Sequence, residues 1–367
     1  MNDNNQQTYK KEKKIMKKKS TSIYGVYWDG TNMQQWSRTD DAVGFIDPSP
    51  AVYNGTGSSP FDNISPWKDM VVVDNPKAGK VVAIPKFYYK WTRNGRAMKL
   101  QISASYFDGS FVSPAHQDRG DGKGERDVIY VGRYHCADRT YKSTTCVKPQ
   151  TSKTRAEFRD SIHKLGENIW QWDYATLWTI QMLYLVEFAD WNSRAKIGYG
   201  CGNHRGTQNM GLTNSMQYHT GTSASNRTLY NVGVQYRNIE GLWSNVFDWC
   251  DGIYFKNFYI FCIKNPSNFS DTTGGTLVGT RPTSSNYISS YTTPSVAGFE
   301  WALYPNAVGG SDSTYIYYYC VYNTSGVVLY VGGSYYQYHA RGLFCLGGNG
   351  AASFKSASIG SRLLVLP

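Results

Sequence analysis

The C-terminal stretch 313–367 alternates short apolar runs with polar loops. The apolar runs predict three strands, at 329–331, 342–346 and 359–364. Between them lie two loops with the sequences SYYQYHA and GGNGAASFKSAS. This alternation predicts a β-rich domain in which short apolar strands carry polar loops.

The same stretch has the composition of a recognition surface. It contains no acidic residue, three basic residues and nine of the thirty tyrosines of the chain. Tyrosine offers a large and stiff contact area, and Ser, Gly and Asn supply adaptable hydrogen bonds. Tyrosine and glycine also fill ordinary sheets and loops, so a plain scaffold is the alternative interpretation.

Two motifs resemble those of one protein family. The first is Val331-Gly-Gly, a polar aromatic cluster, Ala340-x-Gly-Leu-Phe and a final Ile359-Gly-Ser-Arg-Leu. The second is GLWSNVFDWCDG at 241–252, which resembles the signature GLWGNVWEWxDG and follows YRNIE where the family has YRGIE. Over roughly residues 80–367 the chain resembles the variable proteins of diversity-generating retroelements, of the type carried by phages and prophages of gut bacteria.

The resemblance implies a fold class and a set of binding residues. The fold is α+β and C-type-lectin-like, in the variant shared with formylglycine-generating enzymes. In this family adenines of a template copy are miscopied, so Asn codons become codons for Tyr, Ser, His and others. Lys355 is not reachable in this way, whereas Arg341 is reachable and equally consistent with a fixed residue. Within a variable region at about 313–364, the implied ligand-binding residues are Ser334, Tyr335, Tyr336, Tyr338, His339, Arg341, Asn349, Ser353, Phe354, Ser356 and Ser358.

The middle of the chain predicts helices between strands. Asn94-Gly95 marks a β-hairpin, and Thr154 with Glu157 forms a capping box at the start of a helix. A second helix is expected from Asp173 to near Asn192. A Gly- and Asn-rich loop over 198–228 follows, for which we expect a position near the binding face.

The N-terminal part divides into two segments. Residues 1–20 hold seven lysines against two acidic residues, a net charge of +5 within the +11 of the chain. We expect a disordered basic tail there, with no signal peptide, and the alternative is a tail that binds nucleic acid or an acidic partner. Residues 21–66 predict a small β-rich module and linker, and 67–367 the lectin-like domain. No stretch approaches the roughly 20 apolar residues that span a bilayer.

Several residues suggest other chemistry. The loop DRGDGKGERD at 118–127 suggests calcium, but its mixed charge favours a solvated loop. Glu240, Asp248 and Asp251 suggest either acid–base catalysis or a calcium-dependent sugar site. The alternative is that these carboxylates are structural, and that they cap turns or pair with Arg237. A metal site near His204, His219 and Cys201 would need two further ligands.

The cysteines bear on whether the chain could be an enzyme of the formylglycine-generating type. Formylglycine-generating enzymes use a close cysteine pair just after the Gly-Gly, where this chain offers Cys345 alone, with Cys320 before it. For the seven cysteines we expect reduced core thiols rather than the pairs Cys136–Cys146 and Cys250–Cys262.

The sequence therefore favours a receptor-binding protein that is not an enzyme and needs no cofactor or metal. The family role implies a phage tail-tip or fibre adhesin, made in the bacterial cytoplasm and carried on the virion. Its partners would be a bacterial surface protein or glycan, other phage tail proteins, and copies of itself in a homo-oligomer such as a trimer. The alternatives are an oxidase or modifying enzyme of the formylglycine type and a fixed structural tail protein.

Overall fold

A computed structural model describes residues 21–31, 33–201, 206–224, 232–316, 318–322, 326–336 and 342–367. The described part is a mixed α+β fold in which strand predominates over helix. Its helices are α1 (Arg155–His163), α2 (Tyr174–Phe188) and α3 (Ser193–Lys196). None of these three helices is long and apolar enough to cross a membrane.

The strands of the described part follow one another from Tyr24 to Val365. They are β1 (Tyr24–Trp28), β2 (Ser37–Asp40), β3 (Ala51–Val52), β4 (Val72–Asn75), β5 (Gly79–Pro85), β6 (Tyr88–Asn94), β7 (Ala97–Ser103), β8 (Phe111–Val112), β9 (Val128–Gly132), β10 (Ile169–Gln171), β11 (Gly221–Thr222), β12 (Val234–Tyr236), β13 (Ile239–Glu240), β14 (Phe247–Lys256), β15 (Tyr259–Cys262), β16 (Thr276–Thr280), β17 (Asn286–Thr292), β18 (Tyr304–Val308), β19 (Tyr319–Tyr322), β20 (Val328–Val331), β21 (Leu346–Gly350), β22 (Ile359–Ser361) and β23 (Leu363–Val365).

These strands form four sheets. The largest has the order β16-β15-β14-β20-β21-β19-β17-β18, with β22 added on β14. The other three have the orders β2-β1-β7-β6-β8, β10-β23-β9-β5-β4 and β13-β12-β11-β3. The chain passes from β22, in the largest sheet, to the last strand β23, which pairs with β9 and β10, so the chain end joins two sheets.

Helix α2 lies at the centre of the core. Its sequence YATLWTIQMLYLVEF is apolar on nearly all sides, and every residue of it is buried. The Asp173 side chain caps its first turn by accepting from the Thr176 N–H, and Ala189 ends the helix in the left-handed conformation. Trp178 within α2 packs against Trp91 of one sheet and Tyr291 of another, so the helix joins the layers.

Local signals in the sequence are confirmed in two places. The capping box of α1 is present, with the Thr154 hydroxyl and the Glu157 carboxylate each bonded to the other's backbone N–H. The Asn94-Gly95 hairpin is also present, because Asn94 pairs with Ala97 across a two-residue loop. α2 ends at Phe188, a turn earlier than the expected end near Asn192.

The strand predicted at 342–346 is wrong, because the observed strand β21 begins at Leu346. Leu343 and Phe344 instead form a buried turn, and the Phe344 ring packs on Trp191 at 5.0 Å between centroids. Leu343 and Phe344 therefore fill part of the core, and the strand starts only after them. The predicted strand at 359–364 is divided into β22 and β23 at the buried Arg362.

The segment 21–66 is in contact with the rest of the chain at several points. β1 pairs with β7, and β3 pairs in parallel with β11. The Tyr24, Phe61 and Trp67 rings meet one another in the main core. The predicted basic tail at 1–20 lies outside the described residues.

Candidate binding face

Strand β14 carries the second sequence motif through the middle of the largest sheet. Its residues are buried from Phe247 to Phe255, and it pairs with β20 on one edge. On the other edge it pairs with β15 and, in parallel, with β22. Two strands of the C-terminal stretch, β20 and β22, thus flank the FDWCDG segment.

Arg362, in the final Ile-Gly-Ser-Arg-Leu motif, connects the FDWCDG segment of β14 to other parts of the chain. Its guanidinium is fully buried and donates to the carbonyl oxygens of Gly132 at 2.7 Å and of Glu240 at 2.7 Å. Its Nε lies 3.4 Å from Oδ2 of Asp248. The two motifs that define the family resemblance are therefore joined directly by one buried ion pair.

An aromatic surface lies over the sheet at β14 and β20. Trp249 is the cross-strand neighbour of Tyr330, with ring centroids 5.8 Å apart, and Phe247 packs on the same tyrosine at 4.8 Å. The Tyr330 hydroxyl donates to Oδ1 of Asn349 at 2.7 Å. Burial raises the pKa of Tyr330, so its hydroxyl keeps the proton that it donates.

The loop 351–358 crosses this aromatic surface. It leaves β21 beside Val328 and reaches β22 beside Phe247, so it passes over β20 and β14. Phe354 at its middle meets the edge of Trp249 with ring centroids 6.3 Å apart. Its end is held by backbone bonds from Ser152 N–H to the Ser356 carbonyl and from Phe247 N–H to the Ser358 carbonyl.

The residues expected to bind a ligand divide by exposure. Tyr336 is 57% exposed and Phe354 43% exposed, and Ser353 is exposed as well. Tyr335, Asn349 and Ser356 are half-buried. These six residues, together with Tyr330, are called the candidate face below.

Two of the expected residues point inward. Ser334 is fully buried, and its Oγ has no hydrogen-bond partner among the described residues. Ser358 is also buried, and its hydroxyl bonds that of Ser356 at 2.8 Å. Tyr338, His339 and Arg341 lie outside the described residues.

Sequence reasoning missed Asn245, which joins a second segment to the candidate face. Its side-chain amide bonds the backbone of Gln208 twice, accepting from N–H at 2.8 Å and donating to the carbonyl at 2.9 Å. Its own carbonyl accepts from the Tyr335 N–H at 2.9 Å. Ser244 beside it accepts from the Cys201 N–H. The signal was an Asn inside the motif, a residue type that tolerates the left-handed conformation found here, with φ 72°.

The carboxylates of the motif have separate structural partners. Glu240 accepts from the N–H groups of Gly211 and Thr213 and so caps that loop. Asp248 pairs with His135 and Arg362, as a buried structural carboxylate.

Asp251 pairs with Arg159 and Arg155, again within the scaffold. The partner considered from the sequence, Arg237, pairs instead with Glu187 of α2 and with Asp62. Acid–base chemistry between neighbouring carboxylates therefore finds no geometric support in these contacts.

The charged loop 118–127 is tied down more firmly than a solvated loop would be. Arg119 is buried and bonds Asp173, the N-cap of α2, and Arg126 is buried against Asp121. Among the described residues, no group of three or more His, Cys, Asp or Glu side chains is arranged to hold a metal ion.

Within the described residues none of the seven cysteines is joined to another by a disulfide, and all but Cys146 are buried. Burial raises the pKa of the Cys345 thiol to about 12 and that of Cys320 to about 12. The thiolate is the nucleophilic form of cysteine, so neither thiol is activated at neutral pH.

No protein-family model matches the sequence. A search of curated proteins likewise finds no match.

Proposed function

We propose that this protein is a diversified receptor-binding protein with a C-type-lectin-like fold, carried on a phage tail tip or fibre. The candidate face would recognise a bacterial surface protein or glycan. Other tail proteins would hold the protein on the virion, where a homo-oligomer such as a trimer would raise avidity through several modest contacts.

The observation that carries this proposal is the division between framework and loop positions in the C-terminal stretch. Gly332 has φ 90°, and a Cβ atom there would lie 2.4 Å from the Leu242 carbonyl oxygen, so the backbone demands glycine. Phe344 and Ile359 are buried. Tyr336, Ser353 and Phe354 project between these framework positions, where a change of side chain disturbs little packing.

The chemistry of the candidate face fits recognition of a large partner. Tyr335 and Tyr336 lie edge to face with ring centroids 5.6 Å apart. Exposed aromatic rings with few charges provide contact area at a low cost in side-chain entropy, which is how binding loops of antibodies act. The half-buried Asn349 and Ser356 add polar groups to the candidate face.

The formylglycine-type alternative requires a reactive cysteine pair. The two available thiols, Cys320 and Cys345, are buried with raised pKa values, which speaks against nucleophilic chemistry at this end of the fold. Copper uptake by the purified protein, or modification of a cysteine-bearing peptide, would favour the enzyme over our proposal.

The genetic test reads the DNA around the gene. We expect a near copy of the segment encoding residues 313–364 beside a reverse transcriptase gene, with differences almost only at template adenines. The varied codons would then define the contact residues directly. Absence of such a copy would reject diversification and leave a fixed tail protein as the interpretation.

The binding test uses whole bacterial cells. Full-length protein should bind one strain of a panel, and the double variant Tyr336→Ala with Phe354→Ala should weaken that binding by about tenfold or more, as expected for aromatic anchors. Tyr106→Ala is the matched control, because Tyr106 is 62% exposed and lies outside the candidate face. Equal binding by the double variant and the control would contradict the site assignment.

A further inference from the structure

A cavity of about 510 Å³ lies at the C-terminal end of α1, away from the candidate face. Its walls include the rings of His163, Trp170 and Phe269, and its polar groups include Arg159, Asp160 and Lys164. Its volume falls within the range of small-ligand sites, which combine apolar walls with a few polar groups.

The end of the FDWCDG motif builds this cavity. Asp251 holds the guanidinium of Arg159 through Nε at 2.6 Å and Nη2 at 3.0 Å, and Asp271 bonds the same Nη2 at 2.5 Å. Gly252 has φ 71°, and a Cβ atom there would lie 3.1 Å from the Phe269 ring. The motif therefore orients the Arg159 guanidinium and leaves space for the Phe269 ring.

The cavity is also lined by a stacked pair of rings. His163 and Trp170 lie 4.0 Å apart between centroids with an interplanar angle of 16°. Nδ1 of His163 lies 3.0 Å from the Ile169 carbonyl, which can only accept, so Nδ1 carries the proton. Nε2 makes no hydrogen bond within the described part of the chain, and it remains available to a ligand.

The charges around the cavity are balanced. Arg155 and Arg159 are matched by Asp251 and Asp271, which they contact. Asp160 and Lys164, which both line the cavity, contribute one negative and one positive charge. An anionic ligand would find no unopposed positive charge here, whereas a neutral ligand with both donors and acceptors would find partners for each.

We propose that this cavity binds one uncharged sugar unit of a glycan. A pyranose ring has an apolar face whose C–H groups pack on the negative faces of aromatic rings. Its hydroxyl groups both donate and accept, so they can bond the Asp160 carboxylate, the Lys164 ammonium and Nε2 of His163.

The site does not depend on the loops of the candidate face. Lys355 of the 351–358 loop bonds Glu157 in the first turn of α1, whereas the cavity lies at the opposite end of this helix. If the chain is the receptor-binding protein proposed above, on which this role rests, the cavity would stay unchanged as the loops vary and would supply a constant contact to a surface glycan.

The test titrates the full-length protein with methyl glycosides of neutral hexoses and N-acetylhexosamines, followed by saturation-transfer NMR and calorimetry. We expect one saturable site for at least one sugar, with a dissociation constant of about 1 mM. Asp160→Asn should weaken binding about fivefold or more through loss of a charge-assisted hydrogen bond. Trp170→Leu, which keeps apolar volume but removes the ring, should abolish it.

Glu167→Gln is the matched control, since Glu167 is an exposed carboxylate in the same segment that does not line the cavity. Tyr106→Ala, outside both the cavity and the candidate face, should also bind the sugar normally. The proposal is overturned if no neutral sugar saturates, if Asp160→Asn binds like the parent, or if inorganic phosphate binds there instead.

Discussion

Replacement of Asn245 by alanine should loosen the candidate face without unfolding the protein. The change removes the two amide hydrogen bonds to the Gln208 backbone, and Gln208 is half-buried, so water can replace part of them. Each such bond contributes about 0.5–1.5 kcal/mol net. Alanine also adopts the left-handed conformation of this position at a cost of about 1 kcal/mol. Asn245→Ala should therefore lower the free energy of unfolding by about 2–3 kcal/mol.

A second variant separates these two contributions. Asn245→Gly loses the same hydrogen bonds but tolerates φ 72°, so it should lose only about 1–2 kcal/mol. Chemical unfolding of the full-length variants measures both values. If Asn245→Gly proves less stable than Asn245→Ala, the left-handed conformation is not the source of the difference.

The effect on binding distinguishes a positioning role from a general loss of stability. Asn238 is the matched control, because it also has a left-handed backbone, φ 69°, and a side-chain bond, to the Met70 carbonyl at 2.9 Å. Asn238→Ala should lower stability to a similar degree and leave cell binding unchanged, whereas Asn245→Ala should weaken cell binding by about fivefold or more. Equal losses of binding in the two variants would refute the role of Asn245 in arranging the face.

Three other predictions follow from single contacts. Gly332→Ala should cost about 2–3 kcal/mol of unfolding free energy, because its φ is 90° and its Cβ would meet the Leu242 carbonyl; a cost near zero would argue against this backbone geometry. The Thr154 N–H and Lys355 lower the pKa of Glu157 to about 2. The ionised Glu157 carboxylate therefore stabilises the fold fully above pH 4.5, and this stabilisation is lost as the pH falls towards 2. Between pH 4.5 and 2 the thermal midpoint of Glu157→Gln should vary less than that of the parent protein. Burial lowers the pKa of His116 from 6.5 to about 4. The neutral ring is accommodated without cost above pH 6.5, and about 3 kcal/mol of unfolding free energy is lost as the pH falls to 4. His116→Gln should reduce this dependence of the unfolding free energy on pH, and an unchanged dependence would exclude His116 as the titrating group.

Elements with local signals could be predicted from the sequence. The capping box at Thr154, the N-cap at Asp173 and the Asn94-Gly95 turn each depend on residues a few positions apart, and each is found as expected. The strand at 342–346 failed because an apolar run has the same local pattern in a strand and in a buried turn. Packing of Phe344 against Trp191, over 150 positions away, decided between them.

The segments that form the candidate face could be located from the sequence, but which of their side chains are exposed could not be predicted. Loop composition identified Tyr336 and Phe354, which are exposed, together with Ser334, which is buried. Serine is common in loops and small enough to fit inside, so only tertiary contacts determine its exposure. The bond between Asn245 and Gln208 joins two segments that show no shared pattern in the chain.

The way in which the loops are anchored explains how their side chains could change while the fold persists. Tyr335 is held through its N–H, and Ser356 and Ser358 through their carbonyl groups, and these backbone groups are present whatever the side chain. Asn349 differs, because its side chain accepts from the Tyr330 hydroxyl, and a residue without an acceptor there would leave that half-buried hydroxyl unbonded. Variation should therefore be freest at 336, 353 and 354, where the side chains are exposed, and most constrained at 349, where the loop meets the aromatic surface of the sheet.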